Sequence, residues 1–503
     1  MPLKTIRLHP DDNVVVAIAA LEAGDPTADG LTVKTQIPAG HKVAARPIAT
    51  GDAVRKYGQI IGQATAEIDA GEHVHSHNVG MGAHCQDPEF CKAATAVLPV
   101  ERPATFLGYH RPDGKVGTRN YLGILTSVNC SGSVARFVAE AVERDGWLDQ
   151  FPNVDGVVPI VHGTGCGMSA SGEGYDLLFR TLSGYARNPN FGAILMIGLG
   201  CEVMQIPDLV GSEAINDKSR FRYMTIQQSG GTRATIDKAN AELKQLAQAA
   251  NQCARAPAPA AAITIGMQCG GSDGYSGITA NPALGAASDL LVRHGGTTIL
   301  SETSEIFGAE HLLTRRAETP AIGQALLDRI DWWQEYCSRL GAELDNNPSP
   351  GNKRGGLTTI LEKSLGAVAK GGTAPLTGVY KYAEPISRPG FAFMDSPGYD
   401  PCSVTGQIAS GANLIIFTTG RGSVSGYKPS PCIKLASNSN MYDRMSEDMD
   451  VNCGDMIEGV PMEVKAQEIF DLVLRVASGE ETKSEALGFG GAEFVPWQIG
   501  AVL

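Results

Sequence analysis

Short apolar runs alternate with segments of helical spacing along most of the chain. From about residue 107 onward, six apolar runs have the length and composition of buried parallel strands: VDGVVPIVH, FGAILMIGLG, AAITIGMQ, TTILSE, GFAFMD and NLIIFTTG. Segments with helical spacing lie between several of them, at 133–144, 236–249, 320–340 and 463–476. This alternation predicts an α/β fold with a mainly parallel sheet that is covered on both faces.

The N-terminal residues follow a different pattern. Residues 1–80 contain short strand-like segments separated by glycine turns at near-regular spacing, which predicts a small all-β domain. Residues 81–106 contain Gly82, Pro88, Pro99 and Pro103 and have no clear period, so we interpret them as a linker. An alanine- and proline-rich break near 253–260 separates a middle α/β domain, 107–255, from a C-terminal domain, 256–503.

Composition narrows the classes of protein that fit. The 503 residues are 43% hydrophobic and 19% charged, which is ordinary for a folded protein of several domains. The net charge of −13 and the absence of a long basic run argue against a nucleic-acid partner. No segment approaches the roughly 20 apolar residues that span a bilayer, and the first residues lack a signal-peptide core. We therefore expect no membrane partner, a cytoplasmic location and mostly reduced cysteines, of which there are eleven.

Thiols follow several of the predicted strands. In open α/β sheets, ligands bind beyond the carboxyl ends of the strands, so residues placed there are candidates for a site. Cys130, Cys166, Cys201 and Cys269 each stand at or near such an end. Thiolates bind iron and zinc, although cysteine is also common as a small buried apolar residue. No CxxC pair is present, which argues against a zinc ribbon.

Carboxylates occupy similar positions. Asp273 follows AAITIGMQ, the run TTILSE continues into TSE and places Glu302 and Glu305 there, and Asp395 ends GFAFMD. Carboxylate oxygens are ligands for divalent metals. The alternative is that they cap helix starts, and this alternative is strongest for Glu305.

Three basic positions are candidates for binding an anionic substrate. Arg119 lies in GTRN, Lys353 lies in NPSPGNKRGGLTT, and Arg421 directly follows NLIIFTTG. Arginine pairs with carboxylates through its planar guanidinium, and a glycine-rich helix start offers free N–H groups. A solvated surface role is the alternative for each of them. The segment PGNKRGG lacks the spacing of a phosphate-binding P-loop.

Histidines cluster in the N-terminal domain. His73, His75 and His77 alternate in HVHSH, so they point the same way if this segment is extended. Such a set suits metal binding or acid–base chemistry, and the alternative is an ordinary polar strand face. His162 directly precedes GTGCG and lies within reach of the end of that strand.

Several long motifs resemble the altronate and galactarate dehydratases, a family of sugar-acid dehydratases, over essentially the whole chain. They include IPAGHKVA, GEHVHSHN, GYHRPDGKVGTRN, MQCGGSDGYSGITANP, NPSPGNKRGGLTTILEKSLG and FTTGRG. The resemblance implies an N-terminal β-clip (SAF) domain, a middle domain used in homodimerisation, and a C-terminal Rossmann-like domain that holds a metal. It also implies dependence on Fe²⁺ under reducing conditions, with Mn²⁺ or another divalent cation as a substitute.

The function implied by this resemblance is removal of water from a sugar acid to give a 2-keto-3-deoxy acid. HVHSHN resembles the altronate-type members, which act on aldonates, whereas GITANPALGAASDLLVR and FPNVDGVV are closer to the galactarate type. A lyase for sulfonated hydroxy acids is a third alternative, which the fused β-clip disfavours. A nucleotide-dependent oxidoreductase is disfavoured because the GxGxxG spacing is absent. A sugar-acid binding protein would not need several thiols and carboxylates at one edge.

The candidate residues are assigned to roles on this basis. Arg119, Lys353 and Arg421 are expected to bind the substrate carboxylate and hydroxyls. His75 or His77 from the β-clip, or His162, is expected to supply acid–base chemistry, with the β-clip closing over the strand ends. The metal is assigned to the following residues, with the last two as further candidates: Cys269, Asp273, Glu302, Glu305, Cys166 and Cys201.

Overall fold

The N-terminal strands pair into two small antiparallel sheets. A computed structural model describes residues 4–82, 88–210 and 220–500 of the chain. One sheet has the order β1-β2-β3-β6 and the other has the order β4-β5-β7. The strands are β1 (Thr5–Ile6), β2 (Val14–Ala17), β3 (Lys42–Ala44), β4 (Ala53–Lys56), β5 (Gln59–Ala64), β6 (His73–Val74) and β7 (Val79–Gly80). The predicted small all-β domain is therefore confirmed.

Strand β2 explains how this small domain is held in place. All four of its residues are buried, and alternate residues point to opposite faces. Val15 and Ala17 face a core within the N-terminal domain. Val14 belongs to a larger core that continues into the C-terminal domain, where it includes Ile265 and Met267. One face of the β-clip is thus covered by the C-terminal domain.

The segment predicted as a linker runs along the C-terminal domain. Between residues 88 and 104, the structure contains no helix or strand. Its backbone is nevertheless fixed, because Cys91 N donates to Thr314 O and Val100 N donates to Arg293 O. Residues 83–87 of the predicted linker lie outside the described residues.

The middle region contains its own parallel sheet, in the order β11-β10-β12-β13. Helices α1 and α5 pack on one face of β10 and β12, and α2 packs on the other face. The elements of this region are β8 (Thr105–His110), β9 (Val116–Gly117), β10 (Tyr121–Thr126), α1 (Gly132–Asp145), β11 (Gly156–Ile160), α2 (Glu173–Ala186), β12 (Phe191–Gly198), α3 (Ile206–Val210), β13 (Phe221–Thr225), α4 (Ile226–Ser229) and α5 (Thr232–Ala250).

The C-terminal region is built on a larger sheet. Among the described residues, seven parallel strands have the order β17-β18-β16-β15-β19-β20-β21. Its elements are β14 (Ala256–Pro259), β15 (Thr264–Cys269), α6 (Ala280–Arg293), β16 (Thr297–Leu300), α7 (His311–Thr314), α8 (Pro320–Arg339), α9 (Pro350–Arg354), α10 (Ile360–Val368), β17 (Leu376–Tyr380), β18 (Gly390–Met394), α11 (Asp400–Ala409), β19 (Leu414–Thr419), β20 (Cys432–Ala436), α12 (Ser439–Arg444), β21 (Val451–Asn452), α13 (Met462–Ala477) and α14 (Lys483–Ala486).

The order of these strands creates a topological switch point beside β15. The chain proceeds from β15 to β16 and on to β17 and β18 on one side of the sheet. It then crosses to the other side of β15 to form β19. The loops that follow β15 and β19 therefore diverge, and such a crevice is the usual ligand site of an open α/β sheet.

The strands predicted to share one edge belong to two sheets. Cys166 and Cys201 follow β11 and β12 of the middle sheet, whereas Cys269 ends β15 of the C-terminal sheet. Strand β14, which follows the alanine- and proline-rich break, pairs antiparallel with β8 in a separate three-stranded sheet, β14-β8-β9. The assignment of Cys166 and Cys201 to the same metal as Cys269 is therefore wrong.

The two α/β regions are nevertheless packed against each other. Helix α2 lies on α11, where a Cβ on Gly184 would come within 2.3 Å of the Ala409 carbonyl oxygen. Glycine allows this approach of two helix backbones. In the parts of the chain that the structure describes, no helix has the length and apolar character needed to cross a bilayer.

Candidate metal and substrate site

A thiol and two carboxylates meet where β15 and β16 end. Cys269 is the last residue of β15, Glu302 lies two residues beyond β16, and Glu305 ends the 3₁₀ turn Thr303–Glu305. One ligand atom from each lies within 4.8 Å of the other two, and all three side chains are buried. They converge because β15 and β16 are parallel neighbours in the sheet.

Two buried lysines face this group. Lys370 Nζ donates to Cys269 Sγ at 2.9 Å and lies 3.6 Å from a Glu302 carboxylate oxygen. Lys363 Nζ donates to Glu305 Oε1 at 2.7 Å. Burial and Glu305 also raise the pKa of the nearby Asp400 to about 7. With both carboxyls of the group, the thiol and Asp400 ionised, four negative groups would face two ammonium groups.

The charge and the contacts of Glu302 fit a bound cation. Both of its carboxylate oxygens are buried, and neither has a hydrogen-bond partner among the described residues. Burial and the adjacent Glu305 carboxylate hold the pKa of Glu302 well above its ordinary value. The backbone at Glu302 has a φ of 71°, a left-handed conformation that side chains other than glycine rarely adopt. A divalent cation would compensate the two excess negative charges of the ionised site.

Asp273 lies apart from these ligand atoms. Its Oδ1 accepts hydrogen bonds from the backbone N–H groups of Tyr275 and Ser276 and from the hydroxyls of Ser276 and Ser437. Its Oδ2 accepts one from Asn438 Nδ2. The carboxylate therefore fixes the turn after β15 to the segment after β20. Its prediction as a ligand of the same ion is wrong, because its oxygens are already engaged and it is outside the convergent group.

Asp395, the remaining candidate carboxylate, also has a structural environment. Its Oδ1 accepts hydrogen bonds from the Thr303 hydroxyl and from Trp333 Nε1. It therefore anchors the turn Thr303–Glu305 through Thr303.

Close contact between three loop backbones explains why the motif after β15 contains glycine. A Cβ on Gly274 would lie 1.9 Å from the carbonyl oxygen of Gly40, and one on Gly356 would lie 2.4 Å from the same atom. A side chain at either position would collide with the backbone of the β-clip. The motifs IPAGHK, CGGSDG and KRGG therefore meet at one point, where the β-clip rests on the C-terminal domain.

The β-clip histidines lie at this contact. The rings of His73 and His75 have centroids 5.4 Å apart, and His41 lies 5.1 and 4.9 Å from them. His75 Nε2 is 2.8 Å from the carbonyl oxygen of Lys353. His77 lies 5.4 Å from His73 and is exposed. The strand ends at Val74, so the rings are brought together by the following turn and not by an extended strand.

Burial favours the neutral form of three of these imidazoles, those of His41, His73 and His75. It lowers the pKa of His41 to about 4, and together with the neighbouring imidazoles it lowers that of His73 to about 3. Burial lowers the pKa of His75 as well. A neutral imidazole has a nitrogen lone pair that can accept a proton, but a lowered pKa makes it a weaker base than free histidine.

A buried ion triad attaches the β-clip to helix α10. Lys42 and Lys56 of the β-clip donate to the two oxygens of Glu362 at 2.9 Å each. Sequence reasoning missed these three residues, although a lysine at an inward position of an otherwise apolar strand, as in KVA, is a usable signal. Burial alone would raise the pKa of Glu362, but the two ammonium groups outweigh it and hold that pKa below its ordinary value.

Two of the three predicted basic residues flank the switch point. Lys353 is half-buried at the end of α9, and the preceding Asn352 donates through Nδ2 to Ser272 O. Arg421 is exposed after β19, and its backbone N donates to Gly271 O. Both therefore border the loop that follows β15.

Arg119 and His162 are elsewhere and have structural roles. Arg119 is buried, makes two hydrogen bonds to the Glu485 carboxylate and donates to three backbone carbonyls, so it has no capacity left for a substrate. His162 is buried in the middle domain between Thr126 O and the Thr164 hydroxyl. The prediction that Arg119 binds substrate and the suggestion that His162 supplies acid–base chemistry at this site are wrong.

Comparison with known proteins covers nearly the whole chain. Three family models match in succession: the altronate/galactarate dehydratase SAF domain at residues 3–82, the D-galactarate dehydratase/altronate hydrolase second domain at 108–251, and the D-galactarate/altronate dehydratase C-terminal domain at 260–502. These ranges cover the β-clip, the middle sheet and the C-terminal sheet.

Curated relatives agree with these matches. The altronate dehydratase of Bacillus subtilis (strain 168) is 34% identical over 96% of this chain and 97% of its own length. The galactarate dehydratase (L-threo-forming) of Escherichia coli (strain K12) is 37% identical over 95% and 93%. The beta subunit of (2R)-sulfolactate sulfo-lyase from Chromohalobacter salexigens is 32% identical over 76% and 95%. The chain therefore belongs to the altronate/galactarate dehydratase family of hydro-lyases.

Proposed function

We propose that this chain is a metal-dependent dehydratase that converts an altronate-type aldonate to a 2-keto-3-deoxy acid. The observation that carries the proposal is the buried group of Cys269, Glu302 and Glu305 at the switch point, in which both carboxylate oxygens of Glu302 lack a hydrogen bond. The motif HVHSHN favours an aldonate. Galactarate is the second candidate, because a galactarate dehydratase is as similar to this chain as the altronate dehydratases are.

The metal would be Fe²⁺, held by Cys269, Glu302 and Glu305, with Mn²⁺ as a substitute. The proton on the carbon next to a carboxylate is very weakly acidic, and its removal leaves a dianionic enediolate. A divalent cation supplies the positive charge that stabilises such a species. Burial raises the pKa of the Cys269 thiol to about 12, so metal binding at this residue would release a proton.

The chain's own residues perform the remaining steps of this proposal. Lys353 and Arg421 bind the substrate carboxylate and hydroxyls at the rim of the loop after β15. An imidazole of the β-clip, that of His75 or His77, accepts the proton from C2. An acid then donates a proton to the hydroxyl at C3, which leaves as water, and the resulting enol converts to the keto acid. The β-clip covers the strand ends and limits the access of bulk water to the enediolate.

The test is an anaerobic assay of the full chain with Fe²⁺ and a reducing thiol. The substrates are altronate, galactarate and (2R)-sulfolactate, and the product measured is the 2-keto-3-deoxy acid, with sulfite as the readout for sulfolactate. We expect turnover of altronate above the other two. Preferential turnover of galactarate would replace the aldonate by an aldarate, and absence of any keto-acid product would refute the dehydratase.

Matched variants locate the metal. In protein reconstituted with Fe²⁺ alone and free of labile sulfide, Glu302→Gln should lower bound iron to below one tenth and keto-acid formation by about 10³-fold, because it removes one charge from the ligand group. Cys269→Ala should also lower bound iron. Cys402→Ala changes another buried thiol outside the group and should leave both measurements unchanged. Retention of iron by Glu302→Gln would contradict the assigned site.

Two further expectations are part of the proposal. We propose a homodimer formed through the middle domain and a cytoplasmic location. Analytical ultracentrifugation of the full chain tests the first, and fractionation of the producing cells tests the second. A monomer across the micromolar range would contradict the dimer.

A further inference from the structure

The exposed thiols of the chain are concentrated at one edge of the middle sheet. Among the cysteines in the described part of the chain, Cys130, Cys166 and Cys201 are exposed, and the others are buried or half-buried. Cysteine is among the residue types most often buried, so an exposed cysteine is unusual. Three exposed cysteines on neighbouring loops are more unusual still. The proposed function uses none of the three.

These thiols follow three adjacent parallel strands. Strand β10 lies between β11 and β12, and neighbouring strands are about 4.8 Å apart. Cys130 follows β10 by four residues, Cys166 follows β11 by six, and Cys201 follows β12 by three. All three loops therefore leave the sheet at the same edge and in the same direction.

Hydrogen bonds tie the three loops together next to the thiols. Asn129 N donates to Thr164 O at 2.9 Å, which joins the loops of Cys130 and Cys166. Val203 N donates to Gly165 O at 2.9 Å, which joins the loops of Cys166 and Cys201. The Ser127 hydroxyl donates to the buried Glu202 carboxylate at 2.5 Å, which joins the loops of Cys130 and Cys201.

Glycines on both sides of the thiols shape this edge. Gly165 and Gly167 flank Cys166 with φ angles of 95° and 63°, and Gly200 precedes Cys201 with a φ of 125°. A Cβ on Gly165 would lie 2.1 Å from the Ser127 carbonyl oxygen, so the loop of Cys166 can approach β10 only through glycine. The backbone is thus arranged to hold the three loops in contact while their thiols stay exposed.

The spacing of the sulfurs distinguishes between ligands. A single tetrahedral ion with Zn–S bonds of about 2.3 Å needs sulfurs less than about 4 Å apart. Across residues 4–82, 88–210 and 220–500, the group that brings its ligand atoms within 4.8 Å is the one containing Cys269, and the three exposed thiols do not meet that distance. An iron–sulfur cluster is larger than one ion, because each thiolate binds a different iron at its corner.

We propose that Cys130, Cys166 and Cys201 ligate a [4Fe–4S] cluster whose fourth iron is open to an oxygen ligand. Each thiol loses one proton when its sulfur bonds to iron, and no electron is transferred in that step. Apart from these three, no cysteine of the described chain lies on these loops, so the fourth iron is left to water or a hydroxy acid. This cluster is on a different sheet from the Cys269 group and does not depend on the proposed function.

Cluster content is the test. The full chain is incubated anaerobically with equal amounts of ferrous and ferric iron and with sulfide, then desalted and analysed for iron, acid-labile sulfide and visible absorption. We expect about four labile sulfides per chain. Cys130→Ser, Cys166→Ser and Cys201→Ser should each lower labile sulfide at least fivefold. Cys253→Ser, Cys337→Ser and Cys269→Ser are controls and should leave it unchanged.

A measurement on the unmutated chain guards against misfolding of the variants. Alkylation of the three thiols, followed by mass spectrometry, should be fast before cluster assembly and at least tenfold slower afterwards. Ferricyanide treatment should remove the open iron and produce the paramagnetic signal of a [3Fe–4S] cluster. Iron or zinc bound without sulfide, or thiols that remain equally reactive, would overturn the proposal.

Discussion

The buried ion triad between the β-clip and helix α10 provides the sharpest test of how the domains are held together. Glu362 is fully buried and accepts hydrogen bonds from Lys42, Lys56 and both the N–H and the hydroxyl of Thr358. Glu362→Gln keeps the shape of the side chain but removes its charge. Two buried ammonium groups then face a neutral amide. The amide NH₂ group takes the place of one carboxylate oxygen, so its N–H donors face a lysine ammonium group.

The expected loss of stability follows from the two lysine charges that stay buried without a carboxylate. Breaking a buried ion pair by removing one partner costs about 3–5 kcal/mol, because the remaining charge is buried without compensation. Here one substitution leaves two such charges, so we expect the upper part of that range. Both lysines belong to the β-clip, and Glu362 belongs to the C-terminal domain. The loss should therefore appear as release of the β-clip while the C-terminal sheet stays intact.

Hydrogen exchange and limited proteolysis measure this release separately from global unfolding. In Glu362→Gln, amides of β2 and β3 should exchange at least 100-fold faster than in the unchanged chain, whereas amides of β15 and β19 should not. Glu335→Gln is the matched control, because Glu335 is exposed and pairs only with Arg339, at 3.8 Å. A triple change to apolar residues, Lys42→Met, Lys56→Met and Glu362→Leu, should restore most of the protection. Unchanged exchange in β2 and β3 of Glu362→Gln would refute the reasoning.

Three other predictions address the histidines, the basic residues and the glycines. Because burial lowers the pKa values of His41 and His73 to about 4 and about 3, acidification below about pH 6.5 protonates these residues in the unfolded state first. The melting temperature should therefore fall between about pH 6.5 and pH 4, and His41→Gln with His73→Gln should flatten this slope relative to His110→Gln, an exposed control. Arg119→Ala should lower the free energy of unfolding by about 3 kcal/mol and leave KM unchanged. Lys353→Ala should raise KM and leave the melting temperature unchanged. The opposite pattern would return Arg119 to the substrate site. Gly274→Ala should cost at least about 2 kcal/mol because its Cβ meets the Gly40 carbonyl, and urea unfolding should show no such cost for Gly491→Ala, where no atom lies within 4 Å.

Much of the architecture could be predicted from periodicity. All six apolar runs form strands, namely β11, β12, β15, β16, β18 and β19, and the four helical segments become α1, α5, α8 and α13. The apolar run Tyr121–Thr126 was missed as the strand β10, which is central to the middle sheet. The periodicity of the sequence could not show which strands pair, because pairing brings together residues far apart in the chain, as in β14 with β8.

The candidate site was predictable to the extent that its residues follow strands directly. The proximity of Cys269, Glu302 and Glu305 could be predicted in this way, since their position relative to β15 and β16 is local in sequence. Arg119 could not be assigned correctly, because its partner Glu485 is 366 residues away and nothing in GTRN indicates it. Lys42 and Lys56 were overlooked because lysine in a strand is normally read as a solvent-exposed position.

The backbone contact between the β-clip and the C-terminal domain limits which residues could distinguish one substrate from another. Gly40, Gly274 and Gly356 meet main chain to main chain, so this contact fixes the β-clip relative to the loop after β15 and leaves no side chain that could adjust it. The imidazoles of His41 and His75 are carried by the same rigid unit and are anchored to carbonyl oxygens of α9. In the proposed function, aldonate and aldarate substrates would therefore be distinguished by side chains that border the loop after β15. Lys353 and Arg421 are two positively charged residues that border this loop, and the second carboxylate of an aldarate would need one more positive charge than an aldonate does.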